Sequence, residues 1–313
     1  VEGEVPGNLP KEYRSGFVAV LGKPNVGKST LINAYVGQKI AIVSPKPQTT
    51  RRRLRGILTL PTAQIVFVDT PGIHVPRHKL GEYMVETAVR AIPDADVLLF
   101  MVDLSGPQGD EDRKLAELIR ERAASPCILV LNKVDLTSPV EAELRREAYL
   151  GLANCQHSIM VSATEGHNRD QLLELILGLL PLGPQLYPPD QVTDQPLRFM
   201  AAELIREQVL HHLHHEVPHG IAVVVEEFEE RREDLTHIEA TVYVDKESQK
   251  GIVIGKGGKM LKGIGQAARE EIQSLLGKQA YLELWVKVRK GWPRDEAALR
   301  NLGFVLPKGH EDG

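Results

Sequence analysis

The chain has 313 residues, 42% of them hydrophobic and 26% charged, with a formal net charge of −4. That length suits about two domains, and the composition excludes disorder as the dominant state. The slightly acidic balance excludes a wholly basic nucleic-acid binder, so any such partner must be read from local patches.

A polar lead-in, 1–15, precedes the first periodic structure at Gly16. From 16 to 180, short apolar runs alternate with amphipathic stretches. The runs Phe17–Leu21, Gln64–Val68, Val97–Val102, Cys127–Leu131 and Ser158–Val161 are predicted strands. Continuous apolar runs of this length suit a parallel sheet covered on both faces. Lys28–Val36, Leu80–Ala91, Asp110–Ala123, Glu141–Leu150 and Arg169–Leu180 are the helices between them. This alternation predicts an α/β fold with a doubly wound, mainly parallel sheet. Five prolines at 181, 184, 188, 189 and 196 then predict a stiff linker, 181–196. A second, smaller α+β domain spans 197–304 and a polar tail 305–313. In that domain the expected elements are a helix Leu197–His214, strands Ile221–Phe228 and His237–Val244, a helix Lys259–Leu276 and a strand Tyr281–Val288.

The two cysteines, Cys127 and Cys155, are too few for a disulfide framework and argue against a cysteine-based zinc site. They suit a reducing cytoplasm, and Cys127 reads as a buried strand residue. No apolar run approaches the ~20 residues of a membrane-spanning helix. Val1–Glu4 has neither the basic start nor the apolar core of a secretory leader.

Gly22-Lys23-Pro24-Asn25-Val26-Gly27-Lys28-Ser29, followed by Thr30, has the spacing G-x-x-x-x-G-K-[ST] between a predicted strand and a predicted helix. Its backbone N–H groups and the helix N-terminus suit phosphates. Lys28 would bridge the β- and γ-phosphates, and the Ser29 hydroxyl would ligate Mg²⁺. Asp69-Thr70-Pro71-Gly72 ends the next strand; Asp69 suits the outer sphere of Mg²⁺, and the Gly72 N–H suits a γ-phosphate. Asn132, Lys133 and Asp135 end another strand. A carboxylate such as Asp135 accepts from the N1–H and 2-amino group that guanine carries and adenine does not. Ser162-Ala163-Thr164 follows the last strand, where a backbone N–H would meet the guanine O6. Ligands bind at these strand ends in an open α/β sheet. The constellation resembles a translational-GTPase-type P-loop GTPase.

Pro47 to Arg53 occupies the place of that family's first switch loop, whose threonine closes onto Mg²⁺. Thr49 or Thr50 would serve, with Thr50 the preferred candidate. The arginines at 51–53 read equally as a phosphate-binding patch or a solvated cluster. Ile73 stands where a Ras-like pattern has a water-orienting glutamine, which implies slow unaided hydrolysis or another device. Asn25 resembles an asparagine that lets some such GTPases use K⁺; it reads equally as a residue that only stabilises the turn.

In the second domain, Ile254-Gly255-Lys256-Gly257-Gly258 carries the G-x-x-G loop with which KH domains clamp a nucleic-acid backbone, and Lys259 and Lys262 follow on the next helix. The order helix–strand–strand–helix–helix–strand matches the prokaryotic KH arrangement. From Lys246 to Lys290 there are ten Lys or Arg against four Glu, a local net of +6. Clustered cations supply affinity for phosphates without sequence choice. His211, His212, His214 and His215 read as a solvated helix face rather than a metal site. Trp285 reads as core, while for Trp292, beside Lys290, base contact and packing stand level.

A P-loop GTPase joined through a Pro-rich segment to a KH domain resembles the Era-type GTPases over 16–304, including Gln48-Thr49-Thr50-Arg51, Asp69–Ile73 and Gly291-Trp292. The resemblance implies a Mg²⁺-dependent GTPase of ribosome assembly. Its KH domain would hold the 3′ end of 16S ribosomal RNA in the 30S subunit, with peripheral membrane association in some members and no DNA. The competing reading is an RNA-binding protein that senses guanine nucleotides with little turnover.

Overall fold

The computed structural model describes residues 12–46, 48–152, 154–213 and 220–305. The lead-in before residue 12, Pro47, His214, His215 and the tail beyond 305 lie outside the described residues. The chain divides into two compact units. The first takes in residues up to Ala41, Thr50–Val75 and Met84–Asp194. The second takes in Ile42–Thr49, Pro76–Tyr83 and the chain from Gln195.

The first unit is built from β1 (Arg14–Leu21), α1 (Lys28–Val36), β2 (Leu54–Leu60), β3 (Ala63–Asp69), α2 (Lys79–Val89), β4 (Val97–Asp103), α3 (Asp110–Arg122), β5 (Cys127–Asn132), α4 (Pro139–Leu150), β6 (His157–Met160) and α5 (Arg169–Leu179), though α2 begins in the second unit's segment. Its six strands lie in the order β2-β3-β1-β4-β5-β6. All neighbours are parallel except β2 and β3. β3 and β5 are buried at every position, as strands covered on both faces must be. β2 was not expected: Leu54-Arg-Gly-Ile-Leu-Thr-Leu is interrupted by Arg55 and Gly56 and pairs at the sheet edge, where one side of the strand needs no apolar run.

The Pro-rich stretch is not a free-standing linker. Residues to Asp194 belong to the first unit, and Ser15 and Ile57 donate backbone N–H groups to Pro181 and Val192. The Gln64 side chain, fully buried in β3, accepts from Leu186 and Tyr187 and donates to the Tyr187 carbonyl. Proline removes its own donor but leaves its carbonyl, so a Pro-rich strand edge can still be received by side-chain amides and neighbouring N–H groups.

The cysteines also depart from expectation. Cys127 and Cys155 are joined by a disulfide, with Cα atoms 4.7 Å apart. They are 28 residues apart in sequence, but β5 and β6 are adjacent parallel strands, so their starts meet at one strand spacing. Cys127 is nonetheless a buried strand residue, as read.

The second unit contains α6 (Leu197–His212), β7 (Ala222–Arg232), β8 (Leu235–Val244), α7 (Glu247–Ile254), α8 (Lys259–Leu276), β9 (Gln279–Val288) and α9 (Glu296–Asn301). β7 and β8 form an antiparallel hairpin, and β9 joins β8 in parallel. One face of this sheet shares a core with the helices: Ile238, Ala240, Val242 and Val244 pack with Ala201 and Ile205 of α6 and Ile264, Ala268 and Ile272 of α8. The segment Ile42–Thr49 lies on α6. There Glu207 accepts from the Val43 N–H at 2.8 Å, His211 bonds the Val43 carbonyl at 3.0 Å, and Arg206 donates to the Thr49 carbonyl. His211 thus has a structural partner, and no metal-binding His, Cys, Asp or Glu group occurs among the described residues.

Of the two tryptophans, Trp292 takes the packing role that was left level with base contact, and Trp285 departs from its reading as core. Trp292 is fully buried and donates its indole N–H to the Gly220 carbonyl at 2.9 Å. Trp285 is 53% exposed, because β9 alternates and places it on the face away from the helices.

Candidate nucleotide site and nucleic-acid interface

The loop from Gly22 to Gly27 runs from the end of β1 into α1, whose first residue is Lys28. The Lys28 ammonium lies inside the loop and donates to the carbonyls of Gly22 at 3.2 Å and Lys23 at 2.8 Å. Burial pulls its pKa down to about 8, with Asp69 pulling the other way. The cation is therefore held short of full solvation, ready for anionic oxygens. Lys23 turns its own side chain outward onto Asp112 at 2.7 Å. Asn25 has φ 64, a left-handed backbone that asparagine tolerates better than most residues. That conformation is a physical basis for the turn-stabilising reading of Asn25.

Three oxygen-bearing side chains meet beside Lys28. Ser29 donates to Asp69 at 2.7 Å, Thr50 donates to Asp69 at 3.1 Å, and the two hydroxyls are 3.1 Å apart. Asp69 is fully buried and its Oδ1 has no hydrogen-bond partner. Burial pushes its carboxyl up, while Lys28 and the two hydroxyls oppose this. A hard, all-oxygen donor set with an orphaned buried carboxylate oxygen fits Mg²⁺. The geometry distinguishes the two threonines: Thr49 instead donates to the Lys46 carbonyl at 2.6 Å.

Thr70 anchors the next loop by donating to the Val20 carbonyl at 2.7 Å. A Cβ on Gly72 would fall 2.5–2.7 Å from Pro24 atoms, so only glycine lets these two loops close. Ile73 is buried in the core and its N–H donates to the Gly22 carbonyl at 3.1 Å. The side chain at the water-orienting position thus serves packing. The arginine run is not a uniformly solvated cluster. Arg51 is only 3% exposed, and Arg53 bonds the Thr87 carbonyl and Asp94.

On the far side of the loop, Asn132 works as a tie. Its amide donates to the Val26 carbonyl at 2.7 Å and accepts from the Ala163 N–H at 2.9 Å. It therefore joins the phosphate loop to the Ser162–Thr164 loop, and its bond to Ala163 occupies one N–H expected for guanine O6. Lys133, at φ 66, spans to Asp103 at 2.6 Å. Although desolvation opposes it, the Asp103 carboxyl is held below its ordinary range by hydrogen bonds from Lys133 and Ser105. Asp135 sits in the single turn Val134–Leu136 and is exposed. Spacing alone missed Asp103 because its partner is 30 residues away on the neighbouring strand.

In the second unit, α7 ends at Ile254 and α8 begins at Lys259. Between them Gly255, Gly257 and Gly258 have φ of 72, 61 and 76. A Cβ on Gly255 would lie 2.6 Å from that of Met260. Lys256, Lys259 and Lys262 are exposed. A groove of about 440 Å³ opens beside the loop. Gly258, Leu261, Lys262, Gly265, Gln266 and Arg269 line its α8 side, and Tyr281, Leu282 and Leu284 its β9 side. Ile254 does not line it and packs against the core instead. The α8 residues recur at three- and four-residue steps, a face legible in the sequence once α8 is placed. The β9 side comes from strand pairing and is not local.

Comparison with known proteins agrees with this arrangement. Residues 17–133 match the family described as 50S ribosome-binding GTPase, and residues 216–293 match the KH domain family. The structure of Era in complex with MgGDPNP and nucleotides 1506–1542 of 16S ribosomal RNA is 41% identical, with a TM-score of 0.90 over 94% of this chain and 100% of that one. Aquifex aeolicus Era Y63A bound to GDP·AlF₄⁻ is 40% identical, with a TM-score of 0.89 over 94% of this chain and 100% of that one. With this identity across the whole of both relatives, the chain belongs to the Era family, GTPases that carry a C-terminal KH domain.

Proposed function

We propose that this GTPase binds the 3′ end of small-subunit (16S) ribosomal RNA through the α7–α8 loop and its groove, and acts on the 30S subunit during assembly. The observation that carries the reading is the presence, in one Era-family chain, of a gathered Ser29–Thr50–Asp69 oxygen site and a lysine-flanked G-x-x-G groove. The relative whose structure holds 16S nucleotides 1506–1542 supports the RNA class.

In this reading the residues of 22–30 surround the nucleotide phosphates, with Lys28 on their β- and γ-oxygens. Ser29, Thr50 and Asp69 hold Mg²⁺, which when bound neutralises charge developing on the transferred phosphoryl group. The Gly72 N–H meets the γ-phosphate, with Thr70 and Pro71 holding its loop. Asp135 selects guanine, while Asn132, Lys133 and Ser162–Thr164 fix the base loops. No side-chain base is required: catalysis rests on positioning and on preorganised charge. A K⁺ beside Asn25 is the finer part of the proposal, and equal hydrolysis rates in K⁺ and Na⁺ would remove it. The chain acts in the cytoplasm, and peripheral membrane association, proposed from family resemblance, is read by flotation with vesicles.

The deciding experiment measures GTP turnover, with and without an oligoribonucleotide of the 16S 3′ end. Multiple turnover with Mg²⁺ is expected. Binding without turnover under both conditions would favour the nucleotide-sensing reading instead.

A further inference from the structure

The sheet of the second unit has a second face, turned away from the helix-packed core. Its pairing aligns three rows of side chains there. Val224, Thr241 and Trp285 form one; Glu227, Glu239 and Glu283 form the next; Glu229, His237 and Tyr281 form the third. A bulge between Val225 and Glu227 brings the β7 glutamates into these rows.

Two features make this face unlike an ordinary solvated sheet. The first is exposed aromatic surface: Trp285 is 53% and Tyr281 54% exposed. Tyr281 stacks on buried His237 at 5.5 Å, and beside Trp285 the hydroxyl of fully buried Thr241 has no hydrogen-bond partner. The second is charge. Three carboxylates stand directly opposite one another across three strands, an arrangement that destabilises a sheet. Among the described residues, His237 is the one basic group within 4 Å of them, 3.8 Å from Glu227 and 3.7 Å from Glu283. Glu239, in the middle of the row, has no cationic partner among the described residues. Arg231 lies 3.9 Å from Glu229 at one margin, and Lys287 follows Trp285 at the other.

Aromatic side chains flanked by charge are the usual anchors of protein interfaces. A row of carboxylates repels phosphate and attracts lysine and arginine. We propose that this face docks a basic segment of another protein, with its cationic side chains on the Glu227–Glu239–Glu283 row and an apolar side chain over Trp285. It shares only Tyr281 with the groove beside the α7–α8 loop, whose lining is otherwise lysine- and arginine-bearing, and the Glu227–Glu239–Glu283 row and Trp285 lie outside that groove.

Trp285 reports on its own occupancy, because the chain has two tryptophans and Trp292 is fully buried. The full chain is titrated with a synthetic peptide of alternating lysine and leucine, reading tryptophan emission and acrylamide quenching. Control peptides carry glutamate for lysine or serine for leucine, and a further control is a single-stranded oligoribonucleotide. The lysine–leucine peptide is expected to shift Trp285 emission to the blue and shield it, and to weaken with salt. Both controlled substitutions in the peptide should weaken binding at least about tenfold, as should Glu239→Lys and Trp285→Ala when read by anisotropy of labelled peptide. Oligoribonucleotide binding should be unchanged in both variants, which also shows that the domain is folded. Equal binding of the control peptides, or unchanged affinity in Glu239→Lys, would overturn the proposal. So would shielding of Trp285 by the oligoribonucleotide, or by self-association seen as concentration-dependent emission.

Discussion

At Thr50 and Thr49, two adjacent residues of one type have different work. Thr50 meets Ser29 and Asp69, whereas Thr49 caps a local turn at Lys46. Thr50→Ala is therefore expected to lower Mg²⁺-dependent GTP turnover by tenfold or more, the equivalent of about 1.4 kcal/mol in the barrier. Thr49→Ala should leave the Mg²⁺ dependence in place; equal loss in single-turnover assays of both variants would remove the distinction. At the base, Asp135→Asn should weaken GTP binding by orders of magnitude and gain xanthosine triphosphate, whose 2-oxo group accepts from the new amide. Unchanged GTP affinity, measured by equilibrium titration, would contradict the base-reading assignment. The phosphate and base motifs were legible because their spacing is local to single loops. The Thr50 choice was not, since it depends on how a loop folds back onto β3.

Among the elements, α8 and β9 show most clearly where sequence reading stops. The α8 span agreed with its apolar periodicity, and α6 and the three strands also follow from local patterns, whereas α7 entered only through the order of elements. The face of β9 was read wrongly at Trp285 because residue type was weighed above period: alternation puts Leu282, Leu284, Val286 and Val288 on the helix-packed side and Trp285 with Tyr281, Glu283 and Lys287 on the other. The loop joining α7 to α8 offers a sharper test. Gly255→Ala meets both a positive φ and the Met260 Cβ at 2.6 Å, whereas Gly257→Ala meets a positive φ in open space. The second change should cost about 1–2 kcal/mol. The first should cost more, with a correspondingly larger fall in thermal midpoint. Equal midpoints would mean that the loop relaxes freely and that glycine is not needed there for packing.

Across the whole molecule, the expected RNA affinity comes from a basic surface inside a chain of net charge −4. Binding to a single-stranded oligoribonucleotide should fall steeply with added salt, as counterion release requires. Replacing Lys256 and Gly257 together by Asp should abolish it while GTP affinity, measured in parallel, stays at the wild-type value. Retained RNA binding in that folded variant would remove the loop from the interface. The division into a nucleotide part and an RNA part was readable from composition, but its border was not a single point along the chain. Residues 42–49 belong with α6, through Glu207, His211 and Arg206, although they precede Thr50 by one peptide bond. Modularity in sequence and modularity in contacts therefore differ here. A chain cut after Asp194 would keep every phosphate- and base-reading motif, yet strand an eight-residue stretch by deleting the helix it rests on. Such a fragment would keep the bonds of Thr50 to Ser29 and Asp69 but leave the residues just before it as an unanchored tether, so kinetics measured on a dissected GTPase half would describe a different switch loop from the one in the intact protein.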